Sequence, residues 1–149
     1  MPIQENVSAK GSLNIVLTNE AGQETTNITV PNLVVSTGKS WIAARLANTG
    51  QPVQMTTMAI GSNNQAAAVG DTGLYGYLAN VALSTPGGSV VSNTITYVAS
   101  FPAGTGTGTV QEAGVLTVAG GTMLCRTVFG TVTKNAGDSM TITWNVTLS

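Results

Sequence analysis

The last ten residues, Met140-Thr141-Ile142-Thr143-Trp144-Asn145-Val146-Thr147-Leu148-Ser149, settle the fold class. Met140, Ile142, Trp144, Val146 and Leu148 fall on one face of an extended chain. Thr141, Thr143, Asn145, Thr147 and Ser149 fall on the other. A period of two is the mark of a strand with one face buried. Upstream, Ile95, Tyr97, Ala99 and Phe101 alternate with Thr94, Thr96, Val98 and Ser100 in the same way. Leu13, Ile15 and Leu17 form another such strand. The turn Glu20-Ala21-Gly22-Gln23 and a return strand with Ile28 and Val30 complete a hairpin.

Between these, further strands are expected over Met55–Ile60, Leu74–Leu83, Val110–Val118 and Met123–Val132. Gly114 is expected to mark a bulge or bend, and Pro31 to stop the second strand. Gly61–Gly73 and Pro102–Gly108 read as loops. Pro86-Gly87-Gly88, Gly120-Gly121 and Asn135-Ala136-Gly137-Asp138 read as turns. Lys39–Asn48 is the one good helical stretch, with Ser36 or Thr37 as its cap and Asn48-Thr49-Gly50 as its end. Ile42 and Leu46 should pack on a sheet, with Trp41 at the edge of that contact. About eight short strands with Gly-rich turns predict a mainly β chain: a single-domain antiparallel β-sandwich or jelly roll with one short helix. Residues 1–10 read as an N-terminal arm that reaches a neighbouring subunit, and residues 11–149 as the domain.

The chain has 149 residues, enough for one domain with a real core. Hydrophobic residues make up 42% and charged residues only 7%, with a net charge of −1. Domains usually carry about 25% charged residues. A polar but nearly uncharged surface costs little to desolvate, which suits a protein covered by neighbours and argues for a homo-oligomer. Lys10, Lys39, Arg45, Arg126 and Lys134 are scattered, so no basic stripe offers a nucleic-acid or membrane footprint. No signal segment and no span long enough for a bilayer is legible, so synthesis in the cytoplasm is expected.

The chemistry of catalysis is thinly represented. There is no histidine, which removes the commonest general base and metal ligand. The single Cys125, between Leu124 and Arg126, reads as a buried structural thiol. Gly38-Lys39-Ser40 resembles the end of a phosphate loop, but Leu33 stands where the motif needs glycine, so these residues read as a helix start. Asp71, Glu112, Asp138, Glu20 and Glu24 are the carboxylates that would have to pair for glycoside chemistry. Asp71 and Asp138 instead look like turn residues and Glu112 lies near a strand start. Trp41 and Trp144 both look like core. Asn6-Val7-Ser8, Asn27-Ile28-Thr29 and Asn145-Val146-Thr147 match the glycosylation pattern as expected by chance in so Asn- and Thr-rich a chain. Asp71 offers one oxygen toward calcium, where about six or more are needed. The expectation is a non-enzyme without catalytic, cofactor or metal sites.

One series of segments is distinctive as a set. It runs Trp41-Ile42-Ala43-Ala44-Arg45-Leu46, Met58-Ala59-Ile60-Gly61, and Ala66-Ala67-Ala68-Val69-Gly70-Asp71-Thr72-Gly73-Leu74. It continues through Tyr97, Phe101-Pro102-Ala103-Gly104-Thr105-Gly106, Gln111-Glu112-Ala113-Gly114-Val115 and Met123-Leu124-Cys125-Arg126-Thr127-Val128-Phe129. It closes on Gly137-Asp138-Ser139-Met140-Thr141-Ile142-Thr143-Trp144. In this order, over residues 32–149, the chain resembles a group of small bacteriophage virion structural proteins. The resemblance implies a place in the virion, with the major capsid protein or other virion proteins as partners. Capsid decoration (cement) proteins are commonly β-rich and often trimers, and a single domain with a short arm suits such a surface clamp. The alternative it implies is a tail, fibre or baseplate-associated protein with a receptor- or glycan-binding role, for which loops 61–73 and 102–108 are the candidates.

Overall fold

In the computed structural model, residues 7–50 and 52–149 are described. The chain forms one antiparallel sheet of nine strands, curled into a sandwich-like fold, with one helix. The strands are β1 (Ala9–Thr18), β2 (Glu24–Val34), β3 (Thr57–Gly61), β4 (Tyr77–Ala82), β5 (Ser89–Val91), β6 (Thr94–Phe101), β7 (Gly108–Leu116), β8 (Met123–Lys134) and β9 (Ser139–Leu148). Helix α1 (Ser36–Ala47) follows β2. The order across the sheet is β4-β3-β7-β8-β2-β1-β9-β6-β5.

β2 belongs to both layers. Through Asn32 it pairs with β1, and at Leu33 and Val34 it pairs with Arg126 and Cys125 of β8. Pro31 therefore does not stop the strand. Its carbonyl accepts a hydrogen bond from Thr127 Oγ1 of β8 at 2.7 Å. In an antiparallel strand a residue's N–H and C=O point to the same side, so the missing Pro31 N–H takes nothing from the β1 ladder. At the far ends of the curl, Ser84 N–H donates to Val98 of β6 at 2.8 Å and brings the chain after β4 against β6.

The alternating strands behave as their pattern demands. Leu13, Ile15, Tyr97, Phe101, Ile142 and Trp144 meet Met58, Ile60, Val110, Val115 and Phe129 between the layers. The opposite face of β1, β9 and β6 is a lattice of hydroxyls and amides. Thr94 bonds Thr147, Thr96 bonds Asn145, Ser100 bonds Thr141 and Asn14 bonds Asn27.

Several expected boundaries move. The arm expected over residues 1–10 overlaps β1, which begins at Ala9; its first six residues lie outside the described ones. β5 was not expected; its link to β6 turns through Ser92 with φ 55°. Gly114 is not the bulge. It pairs with Arg126, and the ladder shifts at Val110/Glu112 and Val115/Leu116 instead. A side chain at Gly114 would press on Met123 and Leu74.

The helix starts earlier than expected and neither Ser36 nor Thr37 caps it. Val35 occupies the cap position, and Thr37 Oγ1 donates to the Met123 carbonyl at 2.8 Å. Gly38 is buried so tightly that any side chain would run into the Leu124 carbonyl. The helix thus docks on β8 by its first turn and its last turn stands away from the sheet. Ile42 still packs on the core, but Leu46 is 83% exposed. Trp144 is core, whereas Trp41 is only partly buried and donates from Nε1 to the Val53 carbonyl at 2.7 Å. The end at Asn48, in the left-handed region with φ 52°, is as expected.

Candidate functional site

Two of the scattered carboxylates do meet. Glu112 of β7 and Asp71 of the β3–β4 connection both bind Arg126 of β8. Arg126 points away from the main core, onto the outer face of the β3-β7-β8 layer, where the connection 62–76 covers it. All three side chains are buried. Arg126 Nε and Nη2 donate to Glu112 Oε2 at 3.0 and 2.9 Å, and Nη1 donates to Asp71 Oδ2 at 2.9 Å. Nη2 also donates to the Gln65 carbonyl at 3.0 Å. The guanidinium lies over the Tyr75 ring, 4.7 Å from its centre.

The carboxylates are satisfied as well. Glu112 accepts from the N–H groups of Gly76 at 2.6 Å and Tyr75 at 3.2 Å. Gly61 leaves room for the Glu112 carboxylate, since a side chain there would strike Oε1. Asp71 accepts from Ala68 N–H at 2.9 Å and from the Tyr75 hydroxyl at 2.8 Å. Burial raises the Asp71 pKa, but these two hydrogen bonds and the Arg126 guanidinium outweigh it and hold the carboxyl below its usual range. The same hydrogen bond to Asp71 pushes the Tyr75 phenol up.

This arrangement fastens a loop. Every oxygen that a substrate proton would need is already engaged, and none of these three side chains lines a described cavity. The cluster holds the connection 62–76 over a second small apolar cluster of Val35, Ala59, Leu116 and Met123, against which Leu74 packs. Asp71 is the turn residue its setting suggested. Glu112, read from sequence as near a strand start, lies within β7 and carries the cluster.

A second buried cation was not anticipated. Lys134, at the end of β8, donates from Nζ to the carbonyls of Asp138 at 2.6 Å and Pro102 at 3.0 Å. Burial pushes its pKa down, and the charge of Asp138 opposes that shift. The Asp138 carboxylate accepts from Asn135 N–H at 2.9 Å and closes the β8–β9 turn. Glu20 and Glu24 sit in and beside the β1–β2 turn, exposed and apart from the Arg126 cluster.

The remaining candidates resolve as packing. Cys125 is fully buried and its thiol pKa is pushed far up by desolvation. Gly38 of the phosphate-loop-like triplet is filled space against β8, while Lys39 and Ser40 are exposed on α1. Among the sequon asparagines, Asn27 bonds Glu24 and Asn14, Asn145 bonds Thr96, and Asn6 lies outside the described residues. No group of three metal-ligating side chains occurs among the described residues, and no helix there is long and apolar enough to cross a membrane. Of the candidate glycan loops, 102–108 bonds to the β8–β9 turn through Gly104 N–H and the Ala136 carbonyl at 2.8 Å. The other lies on the outer face of the β3-β7-β8 layer, and no hydrogen bond joins the two.

No protein-family profile, curated protein or solved structure matches this chain.

Proposed function

We propose that this chain is a non-enzymatic structural component of a bacteriophage particle, and that it acts as a capsid decoration protein that clamps the shell. The observation that carries the reading is where the charges are. Asp71, Glu112, Arg126, Lys134 and Asp138 are buried in the two fastenings described above. That leaves Lys10, Glu20, Glu24, Lys39 and Arg45 as the exposed charged side chains among the described residues. The lattice of Thr, Ser and Asn on β1, β9 and β6 has its hydrogen bonds largely made within the sheet. Covering such a surface desolvates few charges, which favours many modest contacts with neighbouring subunits over turnover of a substrate. The resemblance over residues 32–149 supplies the particle as the place where such neighbours are met.

The test is to purify intact particles and locate the chain by cryo-microscopy. Density on the shell lattice is expected. Particles that lack the chain altogether would refute the reading.

One observation favours a tail or fibre component instead. Tyr75 and Tyr77 are 50% and 58% exposed, two neighbouring aromatic rings with an apolar body and a polar tip that suit a wet binding surface. Glycan-array binding that is lost in Tyr77→Ala, with density at the tail, would decide for that alternative.

A further inference from the structure

The five exposed charges are sorted by end. β1 runs from Ala9 to Thr18, ten residues, which is roughly 30 Å of strand. Lys10 lies at its start. Lys39 and Arg45 lie on α1, which is joined to the end of β2 that pairs with the start of β1. Glu20 and Glu24 lie in and beside the β1–β2 turn at the opposite end. Among the described residues, one end therefore presents three cations and no exposed acidic side chain. The other presents two carboxylates and no exposed cation; Glu5 lies outside the described residues.

The cationic end also carries a surface hollow with a mainly apolar lining. A groove of about 290 Å³ runs between α1 and the edge of the sheet, lined by Trp41, Ile42, Leu46, Val90, Tyr97 and Leu124 among others. Leu46 and Val90 on its rim are 83% and 67% exposed. At the anionic end the β1–β2 turn is already ordered: Asn19 N–H donates to the Gln23 carbonyl and Gly22 N–H to the Asn19 carbonyl, both at 2.9 Å. Its tip carries only small residues, Ala21 and Gly22, beside exposed Ala136. A rigid, narrow, anionic tip and a cationic apolar groove are complementary, and the same chain carries both.

We propose that copies of this chain associate head to tail, with the β1–β2 turn of one copy seated on the α1 groove of the next, Glu20 and Glu24 facing Lys10, Lys39 and Arg45. Such a contact joins two different surfaces, so it generates a ring when the rotation closes and a filament when it does not. The inference sharpens the structural-component reading by naming the partner surface. It stands on the charge placement and the groove, and its failure is read separately from that of the particle reading.

Sedimentation of the full chain at about 100 µM, in buffers of about 50 and 500 mM salt, tests it, since the higher salt shortens the screening length to a few ångström. Association that weakens with salt is expected. A chain that is monomeric at both ionic strengths would overturn the proposal. Lys10→Glu with Lys39→Glu, which leaves the Arg45 contact to Pro52 intact, and Glu20→Lys with Glu24→Lys should each weaken self-association at least roughly tenfold. The two double variants mixed should bind one another, because each then offers an end with a partner of opposite sign. Unchanged self-association in either variant, or a mixture that does not associate, would refute the contact. The salt response of the unaltered chain decides the matter even when a variant does not fold. Particle content, measured on purified virions by mass spectrometry, reports on the particle reading independently.

Discussion

Arg126 and Lys134 lie eight positions apart on the same strand, both fully buried, yet they are held in opposite ways. Arg126 is enclosed by two carboxylates, a carbonyl and an aromatic face. Lys134 has two backbone carbonyls and no carboxylate within ion-pair distance. The planar guanidinium offers five donors in a fixed fork, so it can tie strands β7 and β8 to a loop at once. The ammonium is a point charge that suits the end of a strand, where carbonyls of two turns converge. A charge that others depend on and a charge that merely fills carbonyls should respond differently to removal.

The largest effect is expected from Arg126→Met. It leaves Asp71 and Glu112 buried without their cation, at a cost of about 3–5 kcal/mol. Denaturant unfolding reads this directly, and cleavage by protease within 62–76 should appear first. Lys134→Met should cost much less, about 1–2 kcal/mol, since only neutral carbonyls lose a donor and a desolvated charge disappears with it. Equal losses in the two variants would erase the distinction.

The pH response separates them again. The Asp71 carboxyl binds its proton more weakly in the folded chain than in the unfolded one. Its stabilisation is therefore complete above the ordinary carboxylate range and is lost as pH falls through the lowered pKa. Asp71→Asn should flatten the acid limb of a melting-temperature profile. Lys134 has a slope of the same sign but in the alkaline range. Its ammonium is disfavoured in the folded chain, so its cost applies below the lowered pKa and is relieved as pH rises toward about 10.5. Lys134→Met should lack that alkaline gain. The smallest change is expected for Tyr75→Phe, which removes only the hydroxyl bond to Asp71 and keeps the ring over the guanidinium. A drop in melting temperature as large as that of Arg126→Met would assign the loop fastening to the phenol.

The core strands were legible because Leu13 to Leu17, Ile95 to Phe101 and Met140 to Leu148 obey a period of two that burial then follows. The Arg126 cluster was not. Glu112 and Arg126 occupy the positions that alternate with the core residues Ala113, Val115 and Cys125, and such positions read as solvent-facing. What buries them is a loop whose Asp71 is 55 residues away. The signal available was weak: opposite charges at the outward phase of two strands in a chain with almost none to spare. Pro31 misled because its rule concerns lost ladder bonds, and here the N–H side faced β8 before that pairing began. Leu46 misled because a helical period says which side residues lie on, not where along its length the helix leaves the sheet. The buried Lys134 gave no local sign, since turn carbonyls leave no trace in composition.

β2 gives its first nine residues to one layer and its last two to the other. Neither half of the sandwich can be peeled away while that strand stays intact. Heat should therefore melt the whole chain in one cooperative step, with calorimetric and van't Hoff enthalpies that agree.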